Sequence, residues 1–369
     1  MTYYIGLMSG TSADGIDATL VKITDDTTEL IAHLFAAFPQ QLRQIILTLQ
    51  NNDYCSLKTL GMLNYRLGCC YAEIVTKLLA DTGFDLKQIT AIGCHGQTIS
   101  HHPHGDAPFS MQAGDPNILA EKTQISVVAD FRGMDIACGG TGAPLVPSLH
   151  QALFSDSAET RVIVNLGGIA NMTLLAPGRE VTGFDNGPAN CLMDGWIHHH
   201  FPALQFDKEG QWAATGHVDQ DLLNAMLAEP YFHLRPPKST GKELFNQQWL
   251  QNYLNRYPTK QPQDIQATLC ELTATVIAKD IMQYAHSTDG IYICGGGACN
   301  THLLNRLSAQ LPSCYIALSD DLGIPTNCVE AIAFAWLARC RIKHQAGNIP
   351  SVTGAKKPAL LGGIYRPYA

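Results

Sequence analysis

Apolar and polar residues alternate in short blocks along this chain, and the blocks switch between two periods. Runs of Ile, Val, Leu, Tyr and Cys bounded by Gly, Asp or Asn predict strands over Tyr3–Met8, Asp17–Ile23, Glu29–Ala36, Ile89–Cys94, Ile125–Ala129, Arg161–Leu166, Met172–Leu175, Val181–Phe184 and Ile291–Cys294. Longer segments with apolar residues three and four apart predict helices over Gln41–Leu49, Leu57–Leu79, Leu145–Phe154, Asn190–Phe201, Ile265–His286, Thr301–Gln310 and Cys328–Lys343. Strands alternating with helices point to an α/β protein with buried sheets.

One pattern recurs. A strand enters the loop Ser9–Gly15 (SGTSADG) and leaves directly as another strand; half a chain later Val162–Leu166 enters Gly167–Asn171 (GGIAN) and returns as Met172–Leu175. Two strand–turn–strand units at half-chain spacing suggest a duplicated domain facing a cleft, with the Pro/Gly-rich stretch Cys138–Pro147 joining the halves. The alternative is two unrelated hairpins in one large α/β protein.

Composition narrows the classes. The 369 residues are enough for about two domains at roughly 150 residues each. With 46% hydrophobic and 15% charged residues the chain can fill sizeable cores. The net charge of −8, with the acidic groups scattered, argues against a nucleic-acid partner. No run approaches the ~20 apolar residues of a membrane-spanning helix, so no membrane partner is expected. MTYYIGLMSG lacks the basic and apolar regions of a secretory signal. Twelve cysteines never form a CxxC pair; several fall in apolar runs (Cys69, Cys70, Cys94, Cys294, Cys340) and read as free thiols in a reducing cytoplasm. No metal-ligand set is predicted.

The candidate chemistry lies in the glycine loops and at strand ends. Small residues allow backbone N–H groups to converge on an anion, and Ser9, Thr11, Ser12 and Asn171 add side-chain donors. A P-loop is absent: Thr240-Gly241-Lys242 is followed by Glu243, and Pro236 stands where the first glycine belongs. Gly295-x-Gly297 after a strand approaches a dinucleotide fingerprint, with Asp320 beyond it, but Asn300 replaces the third glycine and too little chain follows. A turn that admits a flat purine fits it better. Asp185 closes the strand ending at Phe184, in a turn before a helix, where a carboxylate can serve as general base or merely as a cap. His95, with Gln97 and Thr98, forms a polar cluster at a strand end. His101, His102 and His104 fall in a loop, and His198–His200 splay around a helix end. Asn327 and Glu330 read equally well as a capping pair.

Together, GLMSGTSADGID (Gly6–Asp17), GCHGQT (Gly93–Thr98), Gln112–Asp115, Val128–Arg132, GGTGAPLVP (Gly139–Pro147), NLGGIAN (Asn165–Asn171), GFDNGPAN (Gly183–Asn190), ICGGGACN and GIPTNCVEAIAFAWLA closely resemble the anhydro-N-acetylmuramic acid kinases of bacteria, from the first strand to the last helix. The resemblance implies two RNase-H-like, actin/hexokinase-type domains with an ATP cleft between them. It divides the chain into 1–136 and 137–327, with a last helix of about 328–344 packing back on the first domain. It implies ATP and Mg²⁺ as cofactors and a small amino sugar as substrate in the cytoplasm, with a homodimer as candidate assembly.

By the same resemblance, Asp185 matches the catalytic base. The nucleotide side takes Gly10, Thr11, Ser12, Ala13, Asp14, Gly15, Ile16 and Asp17 in the first phosphate loop, with Asp17 toward magnesium. It continues with Asn165, Gly167, Gly168 and Asn171 in the second, and Gly295, Gly296, Gly297 and Asn300 around adenosine. The sugar side takes His95, Gln97, Thr98, Asp130, Arg132 and Glu330. Two residues depart from the family pattern: Asn186 stands where Thr is usual, and Ala189 where Gly is usual. A chaperone-like ATPase and a nicotinamide enzyme are the readings from other classes.

Overall fold

The computed structural model describes residues 2–25, 27–50, 52, 54–257 and 260–367. Two compact units form, one from residues up to Leu153 together with Cys328 onward, the other from Phe154–Asn327.

The first unit begins with the meander β1 (Thr2–Ser9), β2 (Gly15–Ile23) and β3 (Thr28–Ala37). Helices α1 (Gln40–Gln50) and α2 (Leu57–Thr82) follow. Ser56 caps α2 by accepting from Thr59 N–H, and Gly83 ends it in the left-handed conformation that favours glycine. Then come β4 (Ile89–His102), β5 (Phe109–Ala113), α3 (Pro116–Thr123), β6 (Val127–Ala129), α4 (Phe131–Ala137) and α5 (Pro147–Phe154).

The second unit repeats the plan. A meander of β7 (Arg161–Leu166), β8 (Ile169–Leu175) and β9 (Thr182–Pro188) leads into α6 (Asn190–His200), α7 (Gln220–Leu227), α8 (Gln247–Leu254) and α9 (Pro262–Tyr284). It ends with β10 (Gly290–Cys294), α10 (Thr301–Gln310) and β11 (Ile316–Leu318). The chain then returns to the first unit as α11 (Val329–Ile342), α12 (Pro350–Thr353) and β12 (Gly363–Tyr365).

The strand orders are β3-β2-β1-β4-β6-β12, with β5 on β4, and β9-β8-β7-β10-β11. In both sheets the first three strands are antiparallel neighbours and the next two join parallel to the first. The duplication visible in the two glycine hairpins is thus a duplication of topology. In the second unit α9 is enclosed along most of its length, from Ile265 to Ile281, and packs with Phe184, Trp196, Phe245 and Trp249 in one core. Burying each such side chain contributes about 1.5–3 kcal/mol.

In the first unit α11 lies directly on the sheet. Gly6 on β1 pairs with Gly93 on β4, and a Cβ at either would fall 1.8 Å from Ala331 O or 1.9 Å from Phe334 O. Only glycine admits the helix so closely, and the alanines Ala331, Ala333, Ala335 and Ala338 on α11 complete the fit.

Several boundaries differ from the sequence reading. β4 continues past Cys94 to His102 because β5 pairs with it, so His101 and His102 are strand residues rather than loop residues. β9 runs through Asp185 to Pro188 instead of stopping at Phe184. It is the edge strand, where a missing Pro N–H costs the ladder nothing. The cap position of α11 is Cys328, which makes no side-chain capping bond. The twelve cysteines are free, but Cys55 and Cys299 are exposed rather than buried.

Candidate active site

In the first unit the turn between β1 and β2 spans residues 10–14, and Ile16 and Asp17 already belong to β2. Ala13 N–H donates to Gly10 C=O at 3.1 Å, and Ala13 itself adopts a left-handed φ of 56°. Thr11 and Ser12 form the exposed tip beside Gly10, and Asp14 pairs with Arg43 at 3.2 Å. The base of the turn is tied to β4: Gln97 Nε2 donates to Gly10 C=O at 3.0 Å, and Ser9 Oγ donates to Gly96 C=O at 3.2 Å. Ser9 also shares a 2.7 Å hydrogen bond with the buried Tyr71 hydroxyl. Gln97 is therefore an anchor of the glycine turn, with its Oε1 buried and unpartnered. Gly15 is confined by the sheet, since a Cβ there would meet Ala36 O at 2.3 Å.

His95 lies buried against Phe334, ring centroids 4.6 Å apart. Arg132, in the first turn of α4, donates from Nε to His95 Nε2 at 3.0 Å and from Nη1 to Gly142 C=O at 2.7 Å. A ring nitrogen that accepts from a guanidinium carries no proton, so His95 is neutral with its hydrogen on Nδ1. Burial and then the Arg132 charge hold its pKa well below the ordinary value. Burial, then the same guanidinium, lowers His101 to about 4. Gly142 N–H in turn donates to Asp135 at 2.8 Å, and Asp135 also accepts from Asn348 and Thr353. A buried carboxylate thus secures the carbonyl that aims Arg132.

Asp130 adopts a left-handed φ of 58° and caps α4 through Gly133 N–H. Burial raises its pKa. Thr98 accepts from Gln112 at its hydroxyl and from Gln50 at its carbonyl. Glu330 stands in the first turn of α11, where a carboxylate complements the helix dipole.

Asp17 Oδ1 is hydrogen-bonded to His33 Nε2 at 2.8 Å. Among the described residues no group of three or more His, Cys, Asp or Glu side chains is placed to hold a metal ion. Magnesium bound together with nucleotide phosphates needs only one or two protein carboxylates, and the partly exposed Asp17 side chain is of the type that fits that role.

In the second unit the counterpart turn, Gly167–Gly168, receives the start of α6. Ala189 N–H donates to Gly168 C=O at 3.0 Å and Asn190 N–H to Gly167 C=O at 3.1 Å. Asn190 Nδ2 adds bonds to Leu166 C=O at 3.1 Å and Gly167 C=O at 2.8 Å. The turn after β10 packs on the same spot. Gly295 has φ 82°, and a Cβ there would fall 2.3 Å from Asn165 Oδ1; one at Gly297 would fall 2.7 Å from Leu166 Cβ. Gly296 between them faces open space, with nothing within 4 Å of such a Cβ. The Gly167–Gly168 turn and the turn after β10 are thus one cluster. Asn300 is the cap of α10, accepting from Leu303 N–H at 3.0 Å.

Asp185 lies opposite Asn171 in the β8–β9 ladder and is 7% exposed. The capping reading does not hold: α6 starts after Ala189, which has no side-chain capping bond. Instead Asp185 Oδ2 accepts from Ser239 Oγ at 2.9 Å and Thr240 N–H at 3.0 Å. Its backbone N–H donates to Lys238 C=O at 3.1 Å, and its C=O accepts from the Tyr231 hydroxyl at 2.7 Å. Asn171 Oδ1 is buried without a partner beside it. Asn186, on the opposite face of β9, donates to Asp280 Oδ2 at 2.8 Å. The departure at this position is therefore absorbed by α9 and not by the Asp185 carboxylate. Lys238, Ser239, Thr240, Tyr231 and Asp280 escaped the sequence reading. The only hint in the sequence is the polar run Lys238-Ser239-Thr240 behind Pro236-Pro237, of which only Thr240 enters the P-loop comparison.

A carboxylate so buried, held by two donors on one oxygen, is fixed in orientation and suited to accept a proton. Anhydro-N-acetylmuramic acid kinases from Pasteurella multocida and Saccharophagus degradans are each 47% identical to this chain, over 98% of it and 96% of the former, and 99% of both in the latter. Among solved structures, an activator of 2-hydroxyisocaproyl-CoA dehydratase from Clostridium difficile with bound ADPNP is similar over 93% of this chain and 96% of its own, at 13% identity and a TM-score of 0.46. The family model for anhydro-N-acetylmuramic acid kinase matches residues 2–367, and the chain belongs to that family.

Proposed function

We propose that this protein is an ATP-dependent kinase that opens 1,6-anhydro-N-acetylmuramic acid with water and phosphorylates O6, yielding N-acetylmuramic acid 6-phosphate in peptidoglycan recycling. Family membership supports the activity. The observation that carries the mechanism is the buried Asp185 carboxylate, clamped by Ser239 and Thr240 on a strand beside the Gly167–Gly168 turn.

The substrate's O6 is tied to C1 in an internal ether, so no free hydroxyl exists at position 6. Water attacks C1 while Asp185 takes one of its protons, as the base does in an inverting glycosidase. The C1–O6 bond breaks, and its electron pair stays on O6. That oxygen captures the γ-phosphoryl, ADP departs, and the proton on Asp185 returns to solvent. Donors of the Gly10–Gly15 and Gly167–Asn171 turns would hold the phosphates, and the Gly295–Gly297 turn the adenine. His95, Arg132 and Glu330 would contact the sugar. Mg²⁺ would come with the nucleotide phosphates and supply charge neutralisation there, with Asp17 toward it.

The test is the reaction in ¹⁸O-water with Mg-ATP and the anhydro sugar, followed by mass spectrometry of both products. Label at C1 of a sugar phosphate supports the proposal; label in free phosphate, with the sugar unchanged, refutes it.

A further inference from the structure

Beneath Asp185 the second unit buries a charge pair that the proposed reaction does not use. The Lys238 side chain is 2% exposed, and its ammonium stands 3.6 Å from Asp280 Oδ2 on α9. It lies over the faces of Phe184 and Tyr231, 5.3 and 5.2 Å from the ring centroids, and among the described residues makes no hydrogen bond shorter than its contact with Asp280. Asp280, 7% exposed at its side chain, takes its remaining support from Asn186 Nδ2 at 2.8 Å. Burial pushes the lysine's pKa down and the aspartate's up, and their mutual attraction opposes both shifts. A buried pair of this kind adds little net stability over an apolar pair of the same shape, which directs attention to a role beyond folding.

The backbone around Lys238 supplies one. Its C=O receives the Asp185 N–H, and the next two residues are the clamp on the Asp185 carboxylate. We infer that the Lys238–Asp280 pair is a positioning device that anchors to α9 the loop whose Ser239 and Thr240 hold Asp185. Lys238 and Asp280 are positioning residues, and Asn186 on β9 locks the acceptor of the pair in place. This inference rests on Asp185 acting as the base.

Donors on a carboxylate favour its charged form and so lower its pKa; a slack clamp raises it. Lys238 and Tyr231 both feel the Asp185 charge, and Asp280 from α9 acts on both of them, with Glu243 acting on Tyr231. Lys238→Met alone leaves Asp280 unpaired and endangers folding, so the variant of choice is Lys238→Met/Asp280→Asn. It removes both charges, keeps both shapes, and leaves Asn186 an acceptor. The double variant is expected to melt near wild type. The acid limb of its kcat/KM–pH profile for the anhydro sugar should move up by about one unit. Its plateau kcat should fall by up to about 10²-fold, with KM for ATP unchanged.

Ser239→Ala, which removes one clamp donor directly, calibrates the limb and should move it the same way. A double variant with the wild-type limb and kcat, while Ser239→Ala shifts the limb, overturns the anchor and leaves Asp185 as the base. If Ser239→Ala and Asp185→Asn both leave the profile intact, the base assignment fails and the anchor falls with it. Should the double variant not fold, Asp280→Asn alone decides: a shifted limb supports the anchor, an unshifted one overturns it.

Discussion

Replacing Asp185 by Asn separates chemistry from architecture at this site. The carboxylate oxygen that accepts from Ser239 and Thr240 has a counterpart in the amide oxygen of Asn, which can take the same two bonds. What changes for folding is that bonds to a charged acceptor become bonds to a neutral one, a loss of about 1 kcal/mol. The backbone bonds to Lys238 and Tyr231 do not involve the side chain and survive. What is lost outright is the capacity to accept a proton, which supplies about 10²–10⁴-fold in rate. Because water is the nucleophile, the loss is expected at the upper end. The assay follows ADP release and sugar phosphate together, alongside thermal melting and ATP titration calorimetry. Ring opening and phosphorylation should vanish in parallel while melting and ATP affinity hold. An Asp185→Asn enzyme within tenfold of wild type would refute the base assignment, as would one that still opens the ring without phosphorylating it.

Gly296→Val should weaken ATP binding about tenfold or more in calorimetry without lowering the melting temperature, since a Cβ there meets only open space in the protein. Gly6→Ala should do the reverse: a Cβ 1.8 Å from Ala331 O forces α11 off the sheet, and urea unfolding should show a loss of about 3 kcal/mol or more. The His33–Asp17 bond raises the histidine's pKa to about 10, so its contribution to stability is full below the ordinary value of 6.5 and is lost as pH rises toward 10. His33→Gln should therefore flatten the alkaline fall in melting temperature across that window and leave the acid side unchanged.

Much of the scaffold was legible because its signals are local. The duplicated hairpins and the long helices α2, α9 and α11 carry their own periodicity, and the first strands their own apolar runs. What escaped depends on partners distant in sequence. The polar second half of β4 is a strand only because β5 lies beside it, and β11 and β12 are three-residue edge strands with no pattern to detect. Asp185 was expected in a turn because Asn186, Gly187 and Pro188 all break strands, yet the sheet edge tolerates them. Lys238 could not be read at all. A lysine is taken as exposed until its partner is known, and Asp280 lies on another element, in a helix whose polar residues are themselves buried.

The duplication also shows why the proposed base belongs to one unit only. In both meanders the third strand pairs antiparallel to the second, and the chain then turns into a helix. In the first unit β3 ends Phe35-Ala36-Ala37, with Gly15 and Ile16 of β2 opposite the two alanines, and Asp17, opposite Phe35, bonds to His33 of β3 itself. In the second unit the equivalent strand ends Asp185-Asn186-Gly187-Pro188, and three separate segments converge on it. The residue 238–240 loop clamps the carboxylate, α9 takes Asn186, and the Tyr231 hydroxyl takes the strand's carbonyl. Among the described residues the first unit has no counterpart of the long insertion between third strand and sheet return that carries Tyr231 and Lys238; its corresponding helices, α1 and α2, are apolar on their buried faces. A shared topology thus provides two glycine turns, and an insertion in one copy converts a strand end into a site for a buried carboxylate.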